Sequence, residues 1–201
     1  MKSRNAVLAL ALLCAGCLSW PYNQVPARPA YEGKLAIAVA VQDRREDVIT
    51  SKHAPEYVGA DIGLWSVNVD TKSGNPLAND VAESLVHGLA NAGYKASAVS
   101  TGPQQNPEAV REHALAGKPD RALLVTIRKW YASKSYWSSG VQLWYDLKFE
   151  VLGRDGKALA EQTIANGKFA SDFGGKGHLG VYEDVLSQGL NAPEIRKALG
   201  G

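Results

Sequence analysis

The sequence predicts an α/β (α+β) fold: a single sheet in β-α-β-α-β-β-β-α order with helices mainly on one face. Three observations carry this expectation. Residues 34–42 are apolar on both alternating faces, as a strand buried on two sides must be. Two later segments open with Asn-Pro and continue at helical spacing. From residue 122 onward, three alternating stretches follow one another across turn signals.

The elements are justified in chain order. Lys34 to Gln42 sets Leu35, Ile37, Val39 and Val41 on one face and Ala36, Ala38 and Ala40 on the other, which describes a central strand. Asp43-Arg44-Arg45-Glu46-Asp47 ends it, and a long connection then runs to Asn75 through Pro55-Glu56-Tyr57-Val58-Gly59 and Gly63-Leu64-Trp65. Connections of this length inside a compact domain are functional or locally folded. Alternation at Trp65, Val67 and Val69 permits a short edge strand there. Asn75 then reads as a cap and Pro76 as the first helical position, with Leu77, Val81, Leu85 and Leu89 forming an apolar stripe as far as Gly93. Gly88 within that stripe costs about 1 kcal/mol against Ala, which is tolerable where a backbone packs closely on a neighbour.

Tyr94 to Ser100 reads as a weaker strand, and Asn106-Pro107-Glu108 opens a short helix ending near Gly117. Ala122 to Ala132 is a strong strand with Leu123, Val125 and Ile127 toward the core. Ser138-Ser139-Gly140 turns the chain into Val141 to Leu152, whose apolar positions alternate with Gln142, Trp144, Asp146, Lys148 and Glu150, so that one face is wet. Asp155-Gly156 makes the next turn, and Lys157 to Phe169 returns. A glycine-rich loop from Gly174 to Gly180 leads to a helix carrying Val181, Val185 and Leu186, and Pro193 begins a short last helix.

The first twenty residues set the compartment. Lys2 and Arg4 precede an apolar run from Ala6 to Ala15 that is too short to span a bilayer and suits a signal segment. Leu13-Cys14-Ala15-Gly16-Cys17 resembles the lipobox of bacterial lipoproteins, which implies cleavage after residue 16 and a diacylated Cys17. Cys14 stands where such motifs usually carry Leu, and an ordinary secretory cleavage is the alternative. By this resemblance residues 1–16 are the signal peptide, 17–33 the lipidated cysteine and a flexible linker bearing Pro21, Pro26 and Pro29, and 34–201 one periplasmic domain. Trp20 and Tyr22 are expected near the lipid headgroups. Leu18 after the cysteine implies the outer membrane, with the domain on its periplasmic face.

Loss of Lys2 and Arg4 brings 22 Lys+Arg down to 20, level with 20 Asp+Glu, so the mature chain is formally neutral. That balance argues against nucleic acid or a polybasic membrane surface as partner. Both cysteines lie in the leader region, which leaves the domain no internal disulfide, no cysteine nucleophile and no cysteine-based zinc site.

With this order of elements, the chain resembles the YajG-like family of bacterial lipoproteins. The residues that carry the resemblance are Cys17, Gln42-Asp43-Arg44 at the first strand's end, Ala92-Gly93-Tyr94 after the long helix, Asp155-Gly156 in the meander, and Ile195 near the C-terminus. The stretch between Arg45 and Asn75 is longer than in that family. The resemblance implies a periplasm-facing lipoprotein, and the topology is also similar to auxiliary lipoproteins of envelope transport systems.

Candidate chemistry is sparse. The charges from Asp43 to Asp47 follow a central strand's C-terminal end, a usual place for sites in α/β sheets, and could serve acid/base work; the plainer reading is a solvated, mutually paired cluster. Arg44 and Arg45 suit carboxylate or phosphate groups. His53, His87, His113 and His178 show no metal-ligand spacing and read as surface or cap residues. Gly174-Gly175-Lys176-Gly177 lacks the hydroxyl residue and strand context of a phosphate loop, and no nucleophile signature is present. Aromatic residues are in surplus: Trp130, Tyr131, Tyr136, Trp137, Trp144 and Tyr145 share one hairpin. By simple alternation Tyr131 and Tyr145 face the core, while Trp130 and Trp144 lie opposite, beside Arg128 and Gln142. Such a face either docks a partner or is covered by a loop or by the N-terminal segment. The expectation is a non-enzymatic binding or scaffolding module with no cofactor, anchored through its lipid and meeting an envelope protein through Trp130, Trp144, Arg128, Arg44 and Arg45. A transporter's auxiliary subunit and a carboxylate-dependent envelope hydrolase are the alternatives.

Overall fold

In the computed structural model the described residues are 19–62, 66–135, 139–171 and 177–200. They form a mixed α/β fold around an eight-stranded sheet. The strands are β1 (Ser19–Trp20), β2 (Ala36–Asp43), β3 (Tyr57–Ile62), β4 (Ser66–Thr71), β5 (Lys95–Val99), β6 (Arg121–Ser135), β7 (Gly140–Gly153) and β8 (Ala158–Ser171). The helices are α1 (Glu46–Ile49), α2 (Leu77–Asn91), α3 (Pro107–Ala116), α4 (Gly177–Asn191) and α5 (Pro193–Ala198).

β6 is the axis of the sheet. Along one edge it pairs antiparallel with β7, which pairs with β8. Along the other edge its first half pairs parallel with β2, and its last residues pair parallel with β3. β2 carries β5 beyond it, β3 carries β4 antiparallel, and β4 carries β1 parallel. Between Arg45 and Asn75 the chain is therefore locally folded, with α1 and the β3–β4 pair added to the expected order. β1 is a further addition, two residues long and followed by Pro21, too short to leave a periodic signal.

One face of the sheet holds the main core. Leu77, Val81, Leu85 and Leu89 of α2, Tyr182, Val185, Leu186 and Leu190 of α4, and Ile195 of α5 pack on the inward residues of β2, β6 and β7. On the opposite face α3 seals a smaller cluster, where Val110 and Ala114 meet Ala40, Ala122, Leu124 and Leu152. The Asn106 side chain caps α3 by accepting a bond from the Glu108 N–H at 2.8 Å, with Pro107 opening the helix.

From Ser19 the segment before β2 is a strap rather than a flexible linker. Tyr22 is fully buried, and Trp20, Ala27 and Tyr31 are buried with it. The Ala27 N–H donates to the Ser84 carbonyl, the Arg28 N–H to Ser187 Oγ, the Ala30 N–H to Asn191 Oδ1, and the Tyr31 hydroxyl to the Leu190 carbonyl. Trp20 and Tyr22 thus face protein, not headgroups. Three prolines stiffen the strap, while its aromatic side chains supply the burial that holds it down. Gly88 is the close approach anticipated in α2: a Cβ there would lie 2.2 Å from the Ala27 carbonyl oxygen.

Candidate functional site

The site is decided by one extra residue. β6 and β7 pair in regular register up to Ile127 opposite Leu147, and again from Lys129 opposite Asp146, so Arg128 is a bulge. A bulge reverses the facing of all that follows it. Trp130 therefore turns into the core and Tyr131 out of it, the reverse of simple alternation. Trp130 is 2% exposed. Its Nε1 donates to the Tyr22 hydroxyl at 3.3 Å, and its ring meets those of Tyr22 and Tyr182 edge-on at 5.7 and 5.6 Å. It is a core residue and offers no docking surface.

On the outer face Trp144 finds Tyr131 instead, with ring centroids 5.7 Å apart and planes inclined by 33°. Both are half-buried. Gly167 of β8 stands opposite Trp144, and a Cβ there would come 3.0 Å from the indole Cδ1. The bare backbone is what lets the indole lie across β8. On the other side, Tyr57 of β3 stands close enough to Tyr131 for the two phenols to interact electrostatically. Burial, reinforced by Tyr131, pushes the Tyr57 phenol up to about 12, so it stays neutral. His53 stacks on the Tyr57 ring at 3.9 Å with an interplanar angle of 13°. The outcome is a continuous aromatic row of His53, Tyr57, Tyr131 and Trp144 across three strands and the preceding loop. Phe169, 55% exposed, sits one cross-strand step further along β8, opposite Gln142.

Beside the row lies a cleft of about 500 Å³ between α1 and β6. Glu46, Asp47, Lys52, Arg128 and Lys129 give it both signs of charge, and Tyr131 forms part of its wall. Arg128 is held along the sheet by Asp146 at 2.8 Å, with a further bond to Thr163 Oγ1 at 3.1 Å. Arg44 is tied to the loop before α3, donating from Nη1 to the Pro103 carbonyl at 3.1 Å.

Arg45 is not a surface group. Its side chain is 3% exposed, its Nη2 meets Asp43 Oδ2 at 2.6 Å, and its Nε meets Oδ1 at 2.9 Å. It also donates to the carbonyls of Tyr57 at 2.6 Å and Pro55 at 3.2 Å. Every strong donor direction is used within the chain, so this guanidinium fastens the insertion to the end of β2 and is unavailable to a ligand. The same pair engages both oxygens of Asp43, which removes the most central carboxylate of the proposed acid/base cluster.

The remaining sequence candidates resolve simply. Cys17 and the rest of the leader, the Gly174-Gly175-Lys176 stretch, Trp65, Tyr136 and Trp137 lie outside the described residues. His87 and His113 are exposed, and His178 packs on Trp20 with ring centroids 4.2 Å apart. Among the described residues no group of three His, Cys, Asp or Glu could hold a metal ion, and no helix is long and apolar enough to cross a membrane. Tyr57 and His53 carry no sequence signal as site residues, because Tyr57 nears Tyr131 only when β3 pairs with a strand more than seventy positions away, and His53 joins through Tyr57.

Comparison with known proteins places the architecture. The chain matches no protein-family profile and no curated protein. Among solved structures, it is similar to protein XCC0632 of Xanthomonas campestris, from the family DUF330, with a TM-score of 0.51 and 14% identity over 90% of this chain and 92% of that one. A PelC dodecamer from Paraburkholderia phytofirmans gives a TM-score of 0.47 and 11% identity over 82% of this chain and 91% of that one. Lipoprotein GNA1162 of Neisseria meningitidis gives 0.31 and 15% over 75% and 94%. The Xanthomonas structure shares the fold, and at this identity the likeness speaks of fold alone.

Proposed function

We propose that the chain is an envelope lipoprotein whose domain is a non-catalytic binding module, held by a diacylated Cys17 at the periplasmic face of the bacterial outer membrane. The observation that carries the binding reading is the aromatic row of His53, Tyr57, Tyr131 and Trp144 on the sheet face that α3 leaves uncovered, in which Tyr57 is buried while His53, Tyr131 and Trp144 stay half-open. Tyrosine and tryptophan beside arginine supply large, rigid contact area with polar edges, the usual make-up of protein-binding hot spots. The partner is an envelope protein that lays an apolar anchor on Trp144 and Tyr131 and meets the mixed charges of Arg128, Lys129 and Asp47 at the rim. The lipobox-like Cys17 and the YajG-like pattern support the anchored, periplasm-facing part of the reading. The hydrolase alternative loses its central group, since Asp43 is spent on Arg45.

The test is photo-crosslinking in cells from position 144, with position 157 at the far turn as control. A discrete adduct from 144 that is absent from 157, and that disappears in the Tyr131→Ala variant, is the expected result. Equal, diffuse adducts from both positions overturn the binding face.

A further inference from the structure

Resting on the lipid-anchor reading, we infer that the bilayer itself is a direct partner of this domain: the β1–β4 edge and the adjoining end of β3 lie against the phospholipid surface, with Val67 and Ile62 in the interfacial layer. The argument begins with chain length. Cys17 is two residues from Ser19, so its Cα stays within about 7 Å of the first residue of β1. Ser19 is no free end, because it pairs with Asp70 and Trp20 pairs with Thr71 at the edge of the sheet. Trp20 is buried, its carbonyl accepts a bond from the Lys72 N–H at 2.8 Å, and the strap behind it is bonded to α2 and α4. A diacylated cysteine at the headgroup level therefore leaves the domain no spacer with which to stand off.

Direction follows from register. β1 runs parallel to β4, so the N-terminal side of Ser19 lies toward the N-terminal end of β4, where Ser66 pairs with Ile62. Ile62 in turn pairs with Ser135 at the C-terminal end of β6, while the Asp155-Gly156 turn belongs to the opposite end, where Arg121 pairs with Gly153. Among the described residues, Ile62 at 49% and Val67 at 47% exposure are large exposed apolar side chains standing at the end that faces the anchor. They occupy opposite faces of the β3–β4 pair, so no single protein groove would cover both, whereas an interface entered end-on buries both. Charge gives no competing explanation. Asp70 and Glu56 are close enough that burial and their mutual repulsion raise the Asp70 carboxyl, so this edge is not a basic patch steering toward anionic lipid. Contact is maintained by the anchor and by apolar insertion.

The mature domain contains no other cysteine, which allows single thiol probes on the full lipidated protein. Val67→Cys, Ile62→Cys and Lys157→Cys would each carry an environment-sensitive fluorophore, in vesicles of phosphatidylethanolamine and phosphatidylglycerol containing headgroup spin-labelled lipid. Intact mass reports the acyl groups on Cys17 independently. With lipid present, quenching several-fold stronger at positions 67 and 62 than at 157 is expected. Equal quenching at all three positions on acylated protein overturns the membrane-apposed orientation and leaves the anchor standing. A mature protein without acyl mass overturns the anchor, and this inference with it.

Discussion

The two faces of the β6–β7 hairpin carry the same kinds of residue and use them in opposite ways. On the inner face Trp130 and Tyr145 join Tyr22 and Tyr182 under the strap and α4, each essentially without solvent contact. On the outer face Tyr131 and Trp144 sit on paired positions of the same two strands, yet no helix of the main core reaches them and their rings remain half-open. The difference is set by neither hydrophobicity nor spacing. It is set by Arg128, the bulged residue, which hands Trp130 to stability and Tyr131 to the surface.

If that division is right, removing the inner member should cost far more stability than removing the outer one. Trp130→Ala deletes a buried indole with its bond to Tyr22, and a loss of about 3–5 kcal/mol is expected in denaturant unfolding. A loss near that of an exposed residue would break the comparison. Arg45→Ala belongs to the same class, since it strands Asp43 in the interior and frees two carbonyls of the insertion, again with about 3–5 kcal/mol expected. Replacing Asp43 and Arg45 together with apolar residues should recover part of that loss, because no lone buried charge remains.

Sequence reading succeeded where periodicity or capping is local. β2 is legible because both its faces are apolar, α3 because Asn106-Pro107 caps it, and the β6–β8 meander because its turns are punctuated by glycine. It failed where a single tertiary event decides the outcome. Ile127-Arg128-Lys129 contains no glycine or proline to announce a bulge, so alternation carried straight through it and misassigned Trp130 and Tyr131. Arg45 looked like a solvated charge because its acceptors, the carbonyls of Pro55 and Tyr57, are brought to it only when the insertion folds back. The strap did leave a signal. Trp20, Tyr22 and Tyr31 are too many aromatic residues for a solvated linker, although the three prolines alone suggest one.

A pH experiment sharpens the inner side. Asp80 lies at the start of α2 beneath the strap, with Oδ1 accepting from Ser73 Oγ at 2.7 Å. Its backbone carbonyl accepts from Ser84 Oγ, which also binds the Tyr22 carbonyl and the Tyr182 hydroxyl. Burial raises the Asp80 carboxyl from its ordinary 3.8 to about 6, with Glu83 adding and Ser73 opposing. Folding thus favours the protonated form. Its stabilising effect is complete below about pH 4 and is lost as the pH climbs through 6, a decline on the order of 3 kcal/mol by neutrality. Thermal unfolding across pH 4 to 8 should show this slope in the native sequence, and Asp80→Asn should flatten it while raising neutral-pH stability. An unchanged slope in that variant would assign the pH dependence to other groups.

The smallest stability effect is expected on the outer face, and it is the most informative about function. Trp144→Ala removes a half-buried ring that rests on Tyr131 and the bare backbone of Gly167. No polar partner is left stranded in the interior, so about 1 kcal/mol or less should be lost, several times less than at Trp130. In cells the ranking should invert. A folded, normally abundant Trp144→Ala protein is expected to lose its crosslinked partner from a probe at position 131. A Trp130 variant conservative enough to fold, such as Trp130→Phe, is expected to keep that partner while giving up stability. Were both proteins to retain the same adduct, the outer aromatic row would be a packing feature like the inner one, and the two faces would differ only in how completely the fold has covered them.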